Sequence, residues 1–264
     1  MRKFDDSPIE RSSRIPKLID DLYAKMPEIE PDRALLITES YQQTEGEPVI
    51  TRRAKAFAHI LDHIPITIRP GELIVGSATK APRGCQVFPE FSYEWLEGEF
   101  DTIATRKADP FYISEDTKEK LHKAYRYWKG KTTSELATAY MAPEARQAID
   151  HNIFTPGNYF YNGVGHVTVD YGKILAVGFE GVIQEAREAL SQCDPSDADC
   201  AKRTHFLEAV IMSCEAAIRY AKRYALLALK EAEACEDKQR KMELLLIAHN
   251  CATVPGKGAA SFYE

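Results

Sequence analysis

"EPDRALLITESYQQTEGEPVITRRAKAFAHILDHIP", from Glu30 to Pro65, decides the fold class. Pro31 suits a first helical turn, Asp32 favours the positive end of a helix, and Gly46 follows the last turn. Residues 31–46 therefore read as a helix. In the second half Ala54, Phe57, Ala58, Leu61 and Ile64 recur at spacings of three and four, so one helix face is buried, and Pro65 stops the run. Two amphipathic helices joined by a short turn predict a helical layer.

The same signals recur along the chain. "SEDTKEKLHKAYRYWKG" (114–130) has Ser114 as a cap, Glu115 and Asp116 in the first turn and Gly130 at the end. A weaker helix is expected around 132–150. Asp170 caps "YGKILAVGFEGVIQEAREAL", residues 200–232 form a long helix apolar on most faces, and 237–254 form the last helix. "ELIVGSAT" (72–79) is short, β-branched and apolar and reads as a strand, and 80–92, with two prolines and a glycine, as a loop. The fold class is mainly α with a few short strands. "AASFYE" (259–264) reads as the start of a further helix, so the sequence is expected to be a fragment.

Composition narrows the function. With 264 residues, 44% of them hydrophobic and 28% charged, the chain is globular, and its net charge of −6 lacks the basic footprint of a nucleic-acid binder. No apolar run approaches the roughly 20 residues that span a bilayer, and the N-terminus has no signal-like apolar region. A cytoplasmic location is expected. The six cysteines, at 85, 193, 200, 214, 235 and 251, form no CxxC pair, so reduced thiols and no metal are expected.

Few residues carry chemistry. His59 and His63 share a helix face, but Ile60 stands where a zinc-protease motif needs glutamate. Cys85 has no histidine near it in sequence to lower its pKa. "GNYFYNGVGHVTVDYGK" (157–173) is different. Asn158 and His166 lie eight residues apart, with Gly163 and Gly165 to allow close approach or positive φ. Tyr159, Phe160 and Tyr161 supply an apolar wall with hydroxyl handles. That suits a small polyol held by a few convergent hydrogen bonds; it also suits a turn with a hydrogen-bonded structural histidine.

Several blocks, in order, resemble a known family. "RALLITESYQQTEGEPVITRRAKAFAHIL" followed by "IPITIRPGELIVGSATKAPRGCQVFPEFS" resembles the N-terminal portion of the glycyl radical enzymes, relatives of pyruvate formate-lyase. "YWKGKTTSELATAYM", "TPGNYFYNGVGHVTVDYGKIL" and "SCEAAIRYAKRYA" resemble the B12-independent glycerol and 1,2-propanediol dehydratases.

The resemblance implies an N-terminal part of a ten-stranded α/β barrel, with residues 1–30 an extension and 31–264 an incomplete pyruvate formate-lyase-type domain. It implies a glycyl radical installed by a separate S-adenosylmethionine-dependent iron–sulfur activase, and no bound cofactor. A mid-chain cysteine abstracts hydrogen from the diol and water is lost to give an aldehyde. His166 matches the family's substrate-contacting histidine, Asn158 a pocket position, and Tyr161 a weaker pocket position. None of the six cysteines and no glycine here matches the catalytic cysteine or radical loop, so the chain alone is expected to be inactive. The implied partners are a small diol, the activase, and a homodimer mate or complementary C-terminal chain. Two other readings stand beside it. One is a non-catalytic helical module that binds a homologous subunit or another protein. The other is a different glycyl radical lyase: formate acetyltransferase-like, or acting on choline or hydroxyproline.

Overall fold

The computed structural model describes residues 13–157, 159, 160 and 165–264. Its elements, in order, are α1 (Arg14–Tyr23), β1 (Glu28–Glu30), α2 (Asp32–Gln43), α3 (Val49–His63), β2 (Gly84–Gln86), α4 (Glu94–Glu97), α5 (Glu115–Trp128), α6 (Thr133–Ala139), α7 (Pro143–Asp150), α8 (Tyr171–Ser191), α9 (Cys200–Ala234) and α10 (Lys238–Thr253). The chain is mainly helical, as its periodicity predicts.

The caps form where short polar residues precede apolar runs. Ser114 Oγ accepts from Thr117 N at 3.1 Å. Asp170 and Asp237 accept from Lys173 N and Arg240 N. Thr132 and Glu135 close a reciprocal capping box that starts α6, and the expected 132–150 helix is divided into α6 and α7, with Pro143 opening the second.

Two cores result. The first gathers Ile29, Ile37, Tyr93, Leu96, Leu121 and Trp128 from β1, α2, α4 and α5. Trp128 Nε1 donates to Thr38 Oγ1 at 2.8 Å, and Thr38 donates to Ala34 O. Tyr125 stacks on Tyr93 with ring centroids 4.7 Å apart. The second core is small-residue packing: Ala228, Ala232 and Ala248, with Tyr224, Leu244 and Ile247, let α9 and α10 lie close.

The strand expectation is corrected. Residues 72–79 form no strand; β1 and β2 pair in parallel instead, with Ile29 opposite Cys85. The carbonyls of the 72–79 segment are met by side chains rather than by a neighbouring strand. Arg69 donates to Thr79 O and Ala81 O, Gln86 donates to Ala78 O, and the Tyr220 and Tyr224 hydroxyls donate to Ser77 O. The expected helix at 259–264 is absent as well. Tyr263 donates to Leu73 O at 2.6 Å, and six residues are too few to repay helix nucleation.

α8 is broken at Gly178, which takes φ 64° and ψ −174°. The segment that follows α10 fills the break. Phe179 N donates to Pro255 O at 2.8 Å, Glu180 N to Gly256 O at 2.8 Å, and Ala259 N to Leu175 O at 2.9 Å. Lys173 pairs with Glu185 across the bend. In a straight helix twelve residues rise about 18 Å, more than these two side chains span together.

Candidate functional site

The loop before α8 carries the sequence-predicted site. Asp170 caps α8, and His166 stands four residues earlier. The His166 imidazole lies with Nε2 3.2 Å from the Tyr159 hydroxyl, the rings edge-to-face at 5.4 Å and 81°. A neutral ring protonated on Nδ1 accepts from the tyrosine O–H there; a protonated ring donates to the tyrosine oxygen. Either way Tyr159 fixes the plane of the imidazole and leaves Nδ1 for a ligand. Asn158 and Tyr161 lie outside the described residues, as does Gly163.

Sequence reasoning placed Tyr159 in the wall of the site and named Tyr161 as the tyrosine of the pocket. The structure brings Tyr159 to the histidine. The sequence offered three adjacent aromatics and no way to choose among them. Gly165 takes no positive φ, and among the described residues nothing lies within 4 Å of where its Cβ would sit, so neither expected reason for glycine holds there. His166, Tyr159 and Phe160 are all exposed. The loop presents an imidazole, a hydroxyl and an aromatic face on one open surface.

The other candidates separate from it. His59 Nε2 is 3.1 Å from Glu39 Oε2, and His63 Nδ1 is 2.9 Å from the His59 carbonyl, so the pair is absorbed into helix-surface hydrogen bonds. Among the described residues no group of three or more His, Cys, Asp or Glu is placed to hold a metal ion. Cys85 is half-buried, burial pushes its thiol pKa up, and its hydrogen bond runs to Gln86 O. Burial raises Cys214 and Cys251 likewise, and all six cysteines are unpaired. A raised pKa in Cys85, Cys214 and Cys251 is the opposite of what a thiolate nucleophile needs. An apolar cavity of about 470 Å³ lies between α3, α9 and α10, with Phe57, Tyr220, Ile247 and Asn250 in its lining, and it does not include His166. No described helix is long and apolar enough to cross a membrane.

Known structures share this fold. The chain is 59% identical to a structure concerned with 1,2-propanediol dehydration in Roseburia inulinivorans; the match covers 99% of this chain and 31% of that one, with TM-score 0.94. It is 55% identical to the glycerol-bound B12-independent glycerol dehydratase of Clostridium butyricum, covering 96% and 32%, with TM-score 0.91. Among curated relatives it is 33% identical to a (2S)-3-sulfopropanediol dehydratase of Klebsiella oxytoca, over 98% of this chain and 32% of that protein. The chain thus spans about a third of the length of these relatives. The family model described as pyruvate formate lyase-like matches residues 7–264, and the chain belongs to that family.

Proposed function

We propose that this chain is the N-terminal segment of a glycyl radical diol dehydratase, a C–O lyase that converts glycerol or 1,2-propanediol to an aldehyde and water. One observation carries the reading. Identity is 59% and 55% to the propanediol and glycerol structures, against 28% to the hydroxyproline dehydratase structure. In this reading His166 binds a substrate hydroxyl, with its ring held by Tyr159, and Asn158 and Tyr161 complete the contacts. A neutral hydroxyl needs a partner that both donates and accepts, which an imidazole and an amide supply without a full charge.

The radical glycine and the cysteine that abstracts hydrogen belong to sequence beyond this chain, so no hydrogen-transfer step falls to its residues and the chain alone forms no aldehyde. The activase, a second subunit and the remainder of the polypeptide are its partners. The exposed leucines Leu226, Leu229 and Leu245 support a role for the α9–α10 layer as a packing surface.

The test is turnover by the complete polypeptide that carries this chain, activated without oxygen. Glycerol or 1,2-propanediol should yield aldehyde, and hydroxyproline and isethionate should not. His166→Ala should lower kcat/KM about 10- to 100-fold, the worth of one or two buried hydrogen bonds. Unchanged turnover in that variant, or preference for an imino acid, defeats the reading.

A further inference from the structure

We infer that the segment from Pro255 to Ala259 is a strap that positions His166, by completing the break in α8 and fixing the two helical turns to which the His166 loop is joined. The inference rests on His166 being the substrate ligand.

In an unbroken helix Phe179 N would bond Leu175 O, and Glu180 N would bond Ala176 O. The turn at Gly178 removes both bonds. The strap replaces them from one side: Pro255 O and Gly256 O accept from Phe179 N and Glu180 N, and Ala259 N donates to the vacated Leu175 O. Donors below the break and an acceptor above it are thus met by five consecutive residues, as buried backbone groups require. The crossing is too tight for side chains. A Cβ on Gly178 would lie 2.3 Å from Gly256 O, and one on Gly258 would lie 2.3 Å from Ala176 O.

Among the described residues, little besides the strap, the Lys173–Glu185 pair and the Asp170 cap holds those turns. Residues 171–177 are exposed except Ile174, which is half-buried, so side-chain burial does not set their direction. Their N-terminus is the Asp170 cap, four residues after His166. The strap is firmly based: it leaves α10 directly, with Lys257 N donating to Thr253 O at 2.9 Å. The His166 loop is therefore aimed by the alanine-packed α9–α10 layer, through backbone contacts at two glycines. Gly178 and Gly258 are positioning residues that never touch the ligand.

The experiment compares amide hydrogen exchange and the His166 ring NMR signal in the full chain, its Gly258→Ala variant and a Gly46→Ala control. Gly46 also has positive φ, 87°, but nothing lies within 4 Å of its Cβ position. Gly258→Ala should lose about tenfold protection across residues 171–177, the worth of a backbone hydrogen bond, while α9 and α10 change less than twofold. The His166 ring should lose its Tyr159 contact. Gly46→Ala should leave both readouts unchanged. Retained protection at 171–177, or a loss shared equally by α9 and α10, overturns the inference. If Gly258→Ala does not fold, Ala259→Pro removes the N–H that Leu175 O accepts and is read by the same criteria. Glycerol titration of the complete polypeptide that carries this chain separates the two ideas. Absence of a glycerol effect on His166 there counts against the diol reading, whereas the exchange result judges the strap.

Discussion

The α2–α5 core and the α8–α10 layer are both helical, but they are stabilised differently. The first closes on large side chains: Leu121, Tyr125 and Trp128 are almost fully buried, and Trp128 is tied to α2 by its indole N–H. The second mixes alanines at the α9–α10 contact with buried Tyr224, Leu244 and Ile247, and it leaves other large residues outside, with Leu226 69% exposed and Met242 and Leu246 exposed beside it. Burying an aromatic removes far more apolar area from water than burying a methyl group. The first core thus gains more from aromatic burial. The second depends on close backbone approach, and its outer face is available to other protein.

That contrast can be broken from either side. The largest effect is expected from Trp128→Ala, which leaves a cavity and removes the indole N–H that Thr38 Oγ1 accepts: about 3–5 kcal/mol lost, read by urea unfolding. Next comes Ala228→Leu. At a fully buried helix contact a larger side chain must force α9 from α10 and should cost about 1–3 kcal/mol. Leu226→Ser, two residues away on the exposed face, should change stability by about 0.5 kcal/mol or less while reducing self-association in light scattering. A comparable loss from Ala228→Leu and Leu226→Ser would erase the distinction between inner and outer faces.

The junction of α1 with α10 sharpens the comparison through pH. Glu243 on α10 accepts from Arg14 on α1 and from Arg240, and the Arg14 hydrogen bond is the main cause that holds its carboxyl down at about 2, from an ordinary 4.5. A depressed folded-state pKa stabilises above the unfolded value and loses that contribution as pH falls through the folded one. The stability gap between the parent chain and Glu243→Gln should therefore be constant above about pH 5 and shrink as pH falls towards 2, as followed by circular dichroism in urea. A gap independent of pH would mean that the Glu243 charge does not anchor α1.

Much of this architecture was legible in advance. Helix starts were written in caps such as Ser114 and Asp170, because a side-chain oxygen two or three residues before a free N–H is a local interaction. His166 was singled out as a candidate through its resemblance to a family block and its place in a glycine- and aromatic-rich loop. What failed was nonlocal. "ELIVGSAT" has strand composition, yet its carbonyls are met by Arg69, Gln86 and two tyrosines of α9, none of them predictable from the stretch itself. The actual strands, three residues each, carry no pattern long enough to read.

The sequence by itself determined that the chain is helical, where several of its helices start, and its family, since periodicity, caps and block resemblance all act over short separations. Only the tertiary structure decided that Tyr159 meets His166, that alanines join α9 to α10, and that a glycine strap more than seventy residues downstream completes the break in α8. Those outcomes depend on which distant backbone groups come within hydrogen-bonding range, and that is settled when the helices pack.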